Sequence, residues 1–383
     1  MSAETPDISG IYDYLEGLTD PRVERTRLHA LEDIIILALI AVVAGNDTWI
    51  EIEEFGQAYE PWLREFLPLT NGIPSHDTFG RVFRMLNSTE LGERLNGWLQ
   101  SVQRPGSDEH IAIDGKTLRR SMDKPGSKKA LHVLNAWAVG SRIALGTIAA
   151  EDKDNEIKMI PKLLGLLELK GRLVSIDAIG CQKEVARLVS EAEGDYLLQV
   201  KDNQPALASE MRDFFLSSEA EGFVKEKWHT HEDTDGDHGR VETRRTWATE
   251  ELDWFEDKGL WRGLKSIVIQ RTTRFVTAEG KQSEGFRMFI TSRPATEVAQ
   301  LAQAARAHWT VENQLHWVLD VVFAEDQSRA RRDNSALNLA LLRRLALGLL
   351  KRDTRKVSMA LRRKRASFDL AYLTRMLTGG KPG

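Results

Sequence analysis

The pattern of apolar and polar positions changes character several times along this chain. Residues 34–44, IIILALIAVVA, are apolar without a break, and 31–44 are apolar nearly all round a helical wheel. That predicts a helix at the centre of a helical core. The run of eleven is too short to cross a bilayer, which takes ~20 residues. The next stretch, TWIEIEEFGQAYEPWLREFL, has mixed periodicity and is broken at Pro61. In GIPSHDTFGRVFRML, Ser75 or Asp77 can cap a helix carrying Phe79, Val82, Phe83 and Leu86. Asn87-Ser88 ends it, and Ser88 can cap a further helix through Leu99. Two short helices with a tight joint fit a helix-turn-helix DNA reader and ordinary helical packing equally well. A turn-rich linker, QRPGSDEH, follows at 103–110.

Beyond residue 110 the texture is different. IAID, ALHVLNAWAV and IALGTIAAE read as short strands; IKMIPKLLGLLEL reads as a helix, RLVSID as a strand, QKEVARLVSEAE as a helix and DYLLQV as a strand. Three strands, helix, strand, helix, strand is a mixed α/β order. Residues 223–292 alternate as an antiparallel block does, with turns at Gly236, Gly259 and Gly280. A single long helix is expected over 297–323, with Val311, Leu315, Val318 and Val322 as its buried stripe and Glu312 on its flank.

Composition narrows the class. The chain has 383 residues, 42% apolar and 29% charged, which predicts two or three packed units with a soluble surface. No export signal is visible, and Cys181 is the lone cysteine, so an internal disulfide and thiolate zinc sites are excluded and a cytoplasmic setting is expected. The net charge of −4 hides an asymmetry: residues 329–383 carry fifteen Lys/Arg against three Asp, leaving −16 on the rest. A basic end on an acidic body suggests a polyanion partner, or else a solvated helical face.

The candidate chemistry lies in carboxylates at strand ends. Asp114 follows the apolar run IAI, and Asp177 follows RLVSI. Strands buried on both faces present ligands at their carboxyl ends. If these two strands are neighbours, the carboxylates repel one another, and Mg²⁺, which favours hard oxygen ligands, is the natural remedy. Each Asp also fits a turn former or helix cap. Lys116, Arg119 and Arg120 follow Asp114 and can offset phosphates, or simply form a solvated turn. His308, Glu312, His316 and Asp320 recur every fourth residue, but successive steps drift around the helix, so a zinc site is not expected. The histidines are expected to orient Glu312 or touch DNA. Trp228, Trp247, Trp309 and Trp317 can stack on unpaired bases or pack in a core.

AIDGKTLR, SIDAIG, QVKDNQ and HWTVENQLHWVLDVVFAEDQSRAR, in that order, resemble the DDE transposases of bacterial insertion sequences, and among them the H-repeat-associated branch. DPRVERTRLHALEDIIILALIAVVAG and NGIPSHDTFGRVFRML are similar to that branch's amino-terminal region, so the likeness runs from about residue 20 to 375. The resemblance implies an α/β fold with an RNase H-like core over 106–204 and 293–350. A helical N-terminal domain (1–105) would precede it, a β-rich insertion (205–292) interrupt it, and a basic tail (351–383) follow. It implies Asp114, Asp177 and Glu312 as catalytic, metal-holding acids for two Mg²⁺, with Mn²⁺ as a substitute. It favours Lys201, Asn203 and His308, beside Lys116, Arg119 and Arg120, as DNA contacts. Some related branches carry Arg and Lys where this chain has His308 and Leu319, so that phosphate-binding pair does not carry over. The implied activity is hydrolysis at transposon ends followed by strand transfer into target DNA, on double-stranded DNA, by a homo-oligomer in the cytoplasm or on the nucleoid, without a membrane. The alternatives are a non-catalytic DNA-binding protein of transposase descent and a nuclease without strand transfer.

Overall fold

The structure is a computed structural model, and it describes residues 9–103, 106–121, 130–150, 156–224, 227–237, 240–276 and 280–378. The linker expected at 103–110 and the tail end at 379–383 lie partly or wholly outside them. In chain order the helices α1 (Ser9–Leu15), α2 (Leu31–Val43), α3 (Trp49–Ala58), α4 (Glu60–Leu63), α5 (His76–Met85) and α6 (Ser88–Gln103) come first. Then come β1 (His110–Thr117), β2 (His132–Ala138), β3 (Ile143–Ala150), α7 (Glu156–Leu164), β4 (Leu173–Ile176), α8 (Lys183–Glu191) and β5 (Asp195–Val200). These match the expected strand and helix order. α9 (Pro205–Ala220) leads to β6 (His229–Asp237), β7 (Arg240–Thr249), β8 (Ser266–Val276) and β9 (Lys281–Thr291). α10 (Val298–Ala307), a π-helical turn (Glu312–His316), α11 (Trp317–Val321), α12 (Ser335–Lys351), α13 (Met359–Phe368) and α14 (Leu370–Thr378) complete it.

The chain divides into two compact units. The first joins Met1–Pro105, Gly115–Met159 and Val311–Gly383. Its centre is α2, with all but one of its residues buried, packed on α12, which is buried almost as fully. Each large aliphatic side chain buried there contributes roughly 1.5–3 kcal/mol. The buried acid of α2, Asp33, is satisfied: it accepts from the Leu69 backbone N–H at 3.0 Å and from the Tyr12 hydroxyl at 2.9 Å. Thr48 and Glu51 form a reciprocal capping box at the start of α3. Ser75 caps α5 as expected. The cap of α6 is Asn87 and not Ser88: Asn87 Oδ1 accepts from the Thr89 and Glu90 backbones at 3.0 and 3.2 Å.

Helices α5 and α6 do not stand apart as a reader module. Asn338 of α12 donates to the Phe83 and Leu86 carbonyls at 2.8 and 3.0 Å, and Asn334 to Leu86 at 2.8 Å. Part of the basic C-terminal segment is likewise interior. Arg363 is buried, pairs with Asp47 at 2.6 Å and lies 4.2 Å over the Phe323 ring, while Arg355 pairs with Asp353 at 2.6 Å. The charge count of 329–383 therefore overstates what is offered to a polyanion, because several arginines there serve the fold.

The second unit comprises Gly106–Asp114 and Ile160–Thr310. Its large mixed sheet has the order β1-β4-β5-β9-β8-β7-β6. β1, β4 and β5 are parallel; from β5 through β9, β8, β7 and β6 every pairing is antiparallel. The alternating block at 223–292 folds as those antiparallel strands. α10 lays Val298, Leu301, Ala304 and Ala305 against Leu197, Ala248, Val268 and Phe289 of the sheet. Trp228 and Trp247 are absorbed by packing against Phe215 and Phe223, which removes them as base-stacking candidates.

The helix expected over 297–323 is not continuous. It turns at His308-Trp309 and then widens into the π-helical turn. The four-residue spacing of His308, Glu312, His316 and Asp320 thus does not trace one α-helical face. Among the described residues, no helix is long and apolar enough to cross a membrane.

Candidate active site

In the second unit the parallel register pairs Ile111 with Val174 and Ile113 with Ile176. Both runs are fully buried, and the chain then places Asp114 and Asp177 at one level on neighbouring strands, each half-buried. The condition set by the sequence, that the two strands be neighbours, is met. The backbone around both acids leaves little latitude. A Cβ at Gly180 would lie 2.2 Å from Ile176 Cγ2 and 2.9 Å from Ile176 Cβ, and one at Gly115 would lie 2.3 Å from His132 Nε2, so a side chain at either position would force its neighbours to shift. Asp177 Oδ1 accepts from the Ile179 N–H at 3.2 Å and caps the 3₁₀ turn Ala178–Gly180. The turn-forming reading of Asp177 is therefore borne out.

Asn203 is used inside the unit: its amide donates to the Ala178 carbonyl, and Gln204 donates to Cys181 at 2.9 Å, bracing the turn after Asp177. Lys201, one residue past β5, is exposed. His308 is buried and not a surface contact. Ser175 Oγ lies 2.8 Å from His308 Nδ1 and 2.7 Å from His110 Nε2, linking β1, β4 and the end of α10. Burial, with Arg287 nearby, lowers His308 to about 4; burial, with His308 and Arg293, lowers His110 to about 3.

These two imidazoles set a pH dependence. Above their ordinary value of 6.5 they are neutral in both folded and unfolded chains. Below it the unfolded chain takes up protons that the folded one refuses, so stability falls as pH drops from 6.5 towards about 4. Urea midpoints measured across that window should decline in the wild type and decline less in His308→Asn.

In the first unit Glu312 opens the π-helical turn with its side chain 59% exposed, and His316 Nδ1 approaches its Oε2 at 3.1 Å. The His316 hydrogen bond holds the Glu312 carboxyl below its usual range against the opposing effect of burial, and the charge of Lys116 adds to it. His316 is itself oriented from behind. Arg344 Nε, which can only donate, meets Asn135 Oδ1 at 2.5 Å, so Asn135 turns its NH₂ to His316 Nε2 at 3.4 Å. That places the acceptor at Nε2 and the proton at Nδ1, facing Glu312. Arg344 in turn is paired with buried Glu325 at 2.7 Å. Lys351, pushed down to about 7 by burial and by Arg142 and Arg362, lies 4.3 Å over the Trp137 ring and donates to the Gln314 carbonyl at 3.1 Å. It thereby ties down the π-helical turn.

Lys116 is also corrected by the structure. It is buried, with Nζ 2.6 Å from Asp320 and 3.4 Å from both Glu325 and Asp326, so it anchors the segment after α11 and is not presented to a phosphate. Arg119 is exposed, 3.4 Å from Asp326, and Arg120 is exposed. Asn135, Arg344, Glu325 and Lys351 escaped the sequence reading. Their only signal is a polar or charged residue within an otherwise apolar run, as in VLNAWA and ALLRRLALGLLK.

Residues 105–349 match the family model described as "Transposase DDE domain", and residues 12–99 match the one described as "DDE_Tnp_1-associated". The chain belongs to the DDE-domain transposase family. Along nearly its whole length it is similar to "Putative transposase YncI" of Escherichia coli O157:H7, 37% identical over 97% of this chain and 95% of that one. It is likewise similar to "H repeat-associated putative transposase YhhI" of Escherichia coli strain K12, 35% identical over 97% of this chain and 99% of that one. A third relative, "Uncharacterized protein in dhlA 3'region" of Xanthobacter autotrophicus, is 43% identical over 74% of this chain. The family depends on divalent metal, and the donors fit one: two carboxylates, each directly after a residue of the Ile113–Ile176 pair, offer the hard oxygens such cations take.

Proposed function

We propose that this protein cleaves DNA strands at the ends of an insertion sequence and joins the freed 3′-OH groups to target DNA, with Asp114, Asp177 and Glu312 as its acidic triad. The observation carrying this reading is the parallel register that pairs Ile113 of β1 with Ile176 of β4, the residues directly before Asp114 and Asp177. The order β1-β2-β3-α7-β4-α8-β5, with β1, β4 and β5 parallel, supports an RNase H-like core. When bound, a pair of Mg²⁺ ions, or Mn²⁺ in their place, supplies charge at the attacking and leaving oxygens of an in-line displacement.

The chain's own residues then hold oxygens in place. Asp177 is fixed by its bond to Ile179, and Glu312 is kept ionised and oriented by the His316 proton. The attack is by water and then by a DNA 3′-OH, so no protein nucleophile is required. Cys181 would serve poorly as one: it is buried, and burial pushes its thiol up to about 12. The substrate is double-stranded DNA, on which we expect a homo-oligomer to act in the cytoplasm.

The test is nicking of a duplex bearing the element's ends. Strand cleavage should require Mg²⁺ or Mn²⁺, stop with EDTA and liberate a 3′-OH that joins a second duplex. A wild-type chain that binds those ends yet never nicks them with either metal would leave only the non-catalytic DNA-binding reading standing.

A further inference from the structure

The first unit contains a groove of about 1040 Å³ that none of the triad lines. One wall is α5, with Arg81 and Arg84; the other is the segment from Ala324 to Ser335, with Arg329, Arg331 and Arg332. Trp49, stacked on Phe83 at 4.9 Å, and Gly80 also line it. Six arginines line the groove against three acids. Two of those acids are committed elsewhere. Asp47 is held by Arg363 at 2.6 Å, and Glu51 accepts from the Asp47 and Thr48 backbones at 2.9 Å. The third, Asp77, sits at the mouth beside His76.

The cations are not matched in this way. Arg84 meets Asp333 at 3.2 Å and Arg343 faces Asp47 at 3.7 Å. Among the described residues, Arg81, Arg329, Arg331 and Arg332 have no acidic partner. Arg331 Nε is buried without a hydrogen-bond partner, a costly arrangement unless an acceptor arrives from outside. Four of the six groove arginines belong to residues 329–383, the basic end of the chain. Exposed arginines on both walls, with an orphaned donor on the second, suit a row of phosphates, not one compact anion.

We propose that this groove binds the phosphate backbone of duplex DNA. The choice of DNA rests on the transposase reading; the site itself rests on the groove. Contacts of this kind position a duplex without reading its sequence. The loop bearing Arg329, Arg331 and Arg332 follows directly from Glu312 through α11, and Lys116 pins its start at Glu325 and Asp326. DNA seated here would thus be held by a segment continuous with the acid-bearing turn.

The experiment uses the full chain and two fluorescent duplexes, one bearing the element's ends and one of unrelated sequence, titrated by anisotropy from 50 to 300 mM salt (about the range over which phosphate contacts are lost). Arg81→Ala/Arg329→Ala/Arg332→Ala should bind both duplexes more weakly and flatten the salt dependence by about three units, about one per phosphate contact. The matching triple Lys variant should keep most of the slope, and Lys170→Ala, on an exposed surface of the second unit, should change nothing. A triple Ala variant with wild-type affinity and slope, a wild type that binds no duplex, or tighter binding of single-stranded RNA would each overturn the proposal. Nicking run in parallel separates the two readings. A chain that nicks while the triple variant keeps its slope sinks the groove alone; a slope lost in a chain that never nicks sinks catalysis alone.

Discussion

Asp177→Asn is expected to lower metal-dependent nicking by about a thousandfold or more while leaving the fold intact. The substitution is nearly isosteric. An asparagine side-chain oxygen can still accept from the Ile179 N–H, as Asp177 Oδ1 does now at 3.2 Å, so the turn that shapes the strand end survives. What is lost is one negative charge at the level of Asp114. The charge stabilisation a bound cation gives at the reacting oxygens is worth several kcal/mol, and about 1.36 kcal/mol is tenfold in rate. Asp114→Asn should behave alike. In metal-free buffer, removing one of two neighbouring carboxylates relieves repulsion, so the melting temperature should hold or rise. Nicking rates with Mg²⁺, paired with thermal melts in EDTA, test both halves. Asp177→Asn retaining activity within tenfold of wild type would remove this acid from the catalytic set.

Much of the fold was readable because burial leaves a local trace. The uninterrupted run at 34–44 falls in α2, and the runs IAI before Asp114 and LVSI before Asp177 fall in β1 and β4. Alternation at 223–292 gives β6 to β9. The helix near Glu312 was misread for a definite reason. A π-helical turn adds a residue to one turn without altering which residue types are apolar, so the stripe of Val311, Leu315 and Val318 persists across it. Charges were misread because their partners are remote. Lys116 looks like a solvated cation in DGKTLRR, yet its partner Asp320 lies 204 residues away in sequence. The same holds for Arg363 and Asp47, separated by 316 residues. Pairing across such distances is a property of the folded chain, and no window of sequence reports it.

The remote pairings also carry the largest expected stability effect, at Glu325. Its side chain is 1% exposed and faces Arg344, 2% exposed, at 2.7 Å and Lys116 at 3.4 Å. Burial raises its carboxyl, but Arg344, Lys116 and Arg343 more than offset this and hold it below its ordinary 4.5. It therefore stabilises the fold above pH 4.5, and that stabilisation is lost as pH falls below this value. Glu325→Ala leaves two buried cations facing each other, at a cost of roughly 3–5 kcal/mol. Urea denaturation at pH 7 should show the midpoint fall sharply. Glu325→Leu combined with Arg344→Met should recover much of the loss, because it removes the unpaired charge as well as the pair. The double variant nonetheless lacks the guanidinium that fixes Asn135, so His316 loses the partner that places its proton on Glu312. Its stability should approach wild type while its nicking does not. A double variant restored in both would mean that the relay from Arg344 to Glu312 serves packing alone.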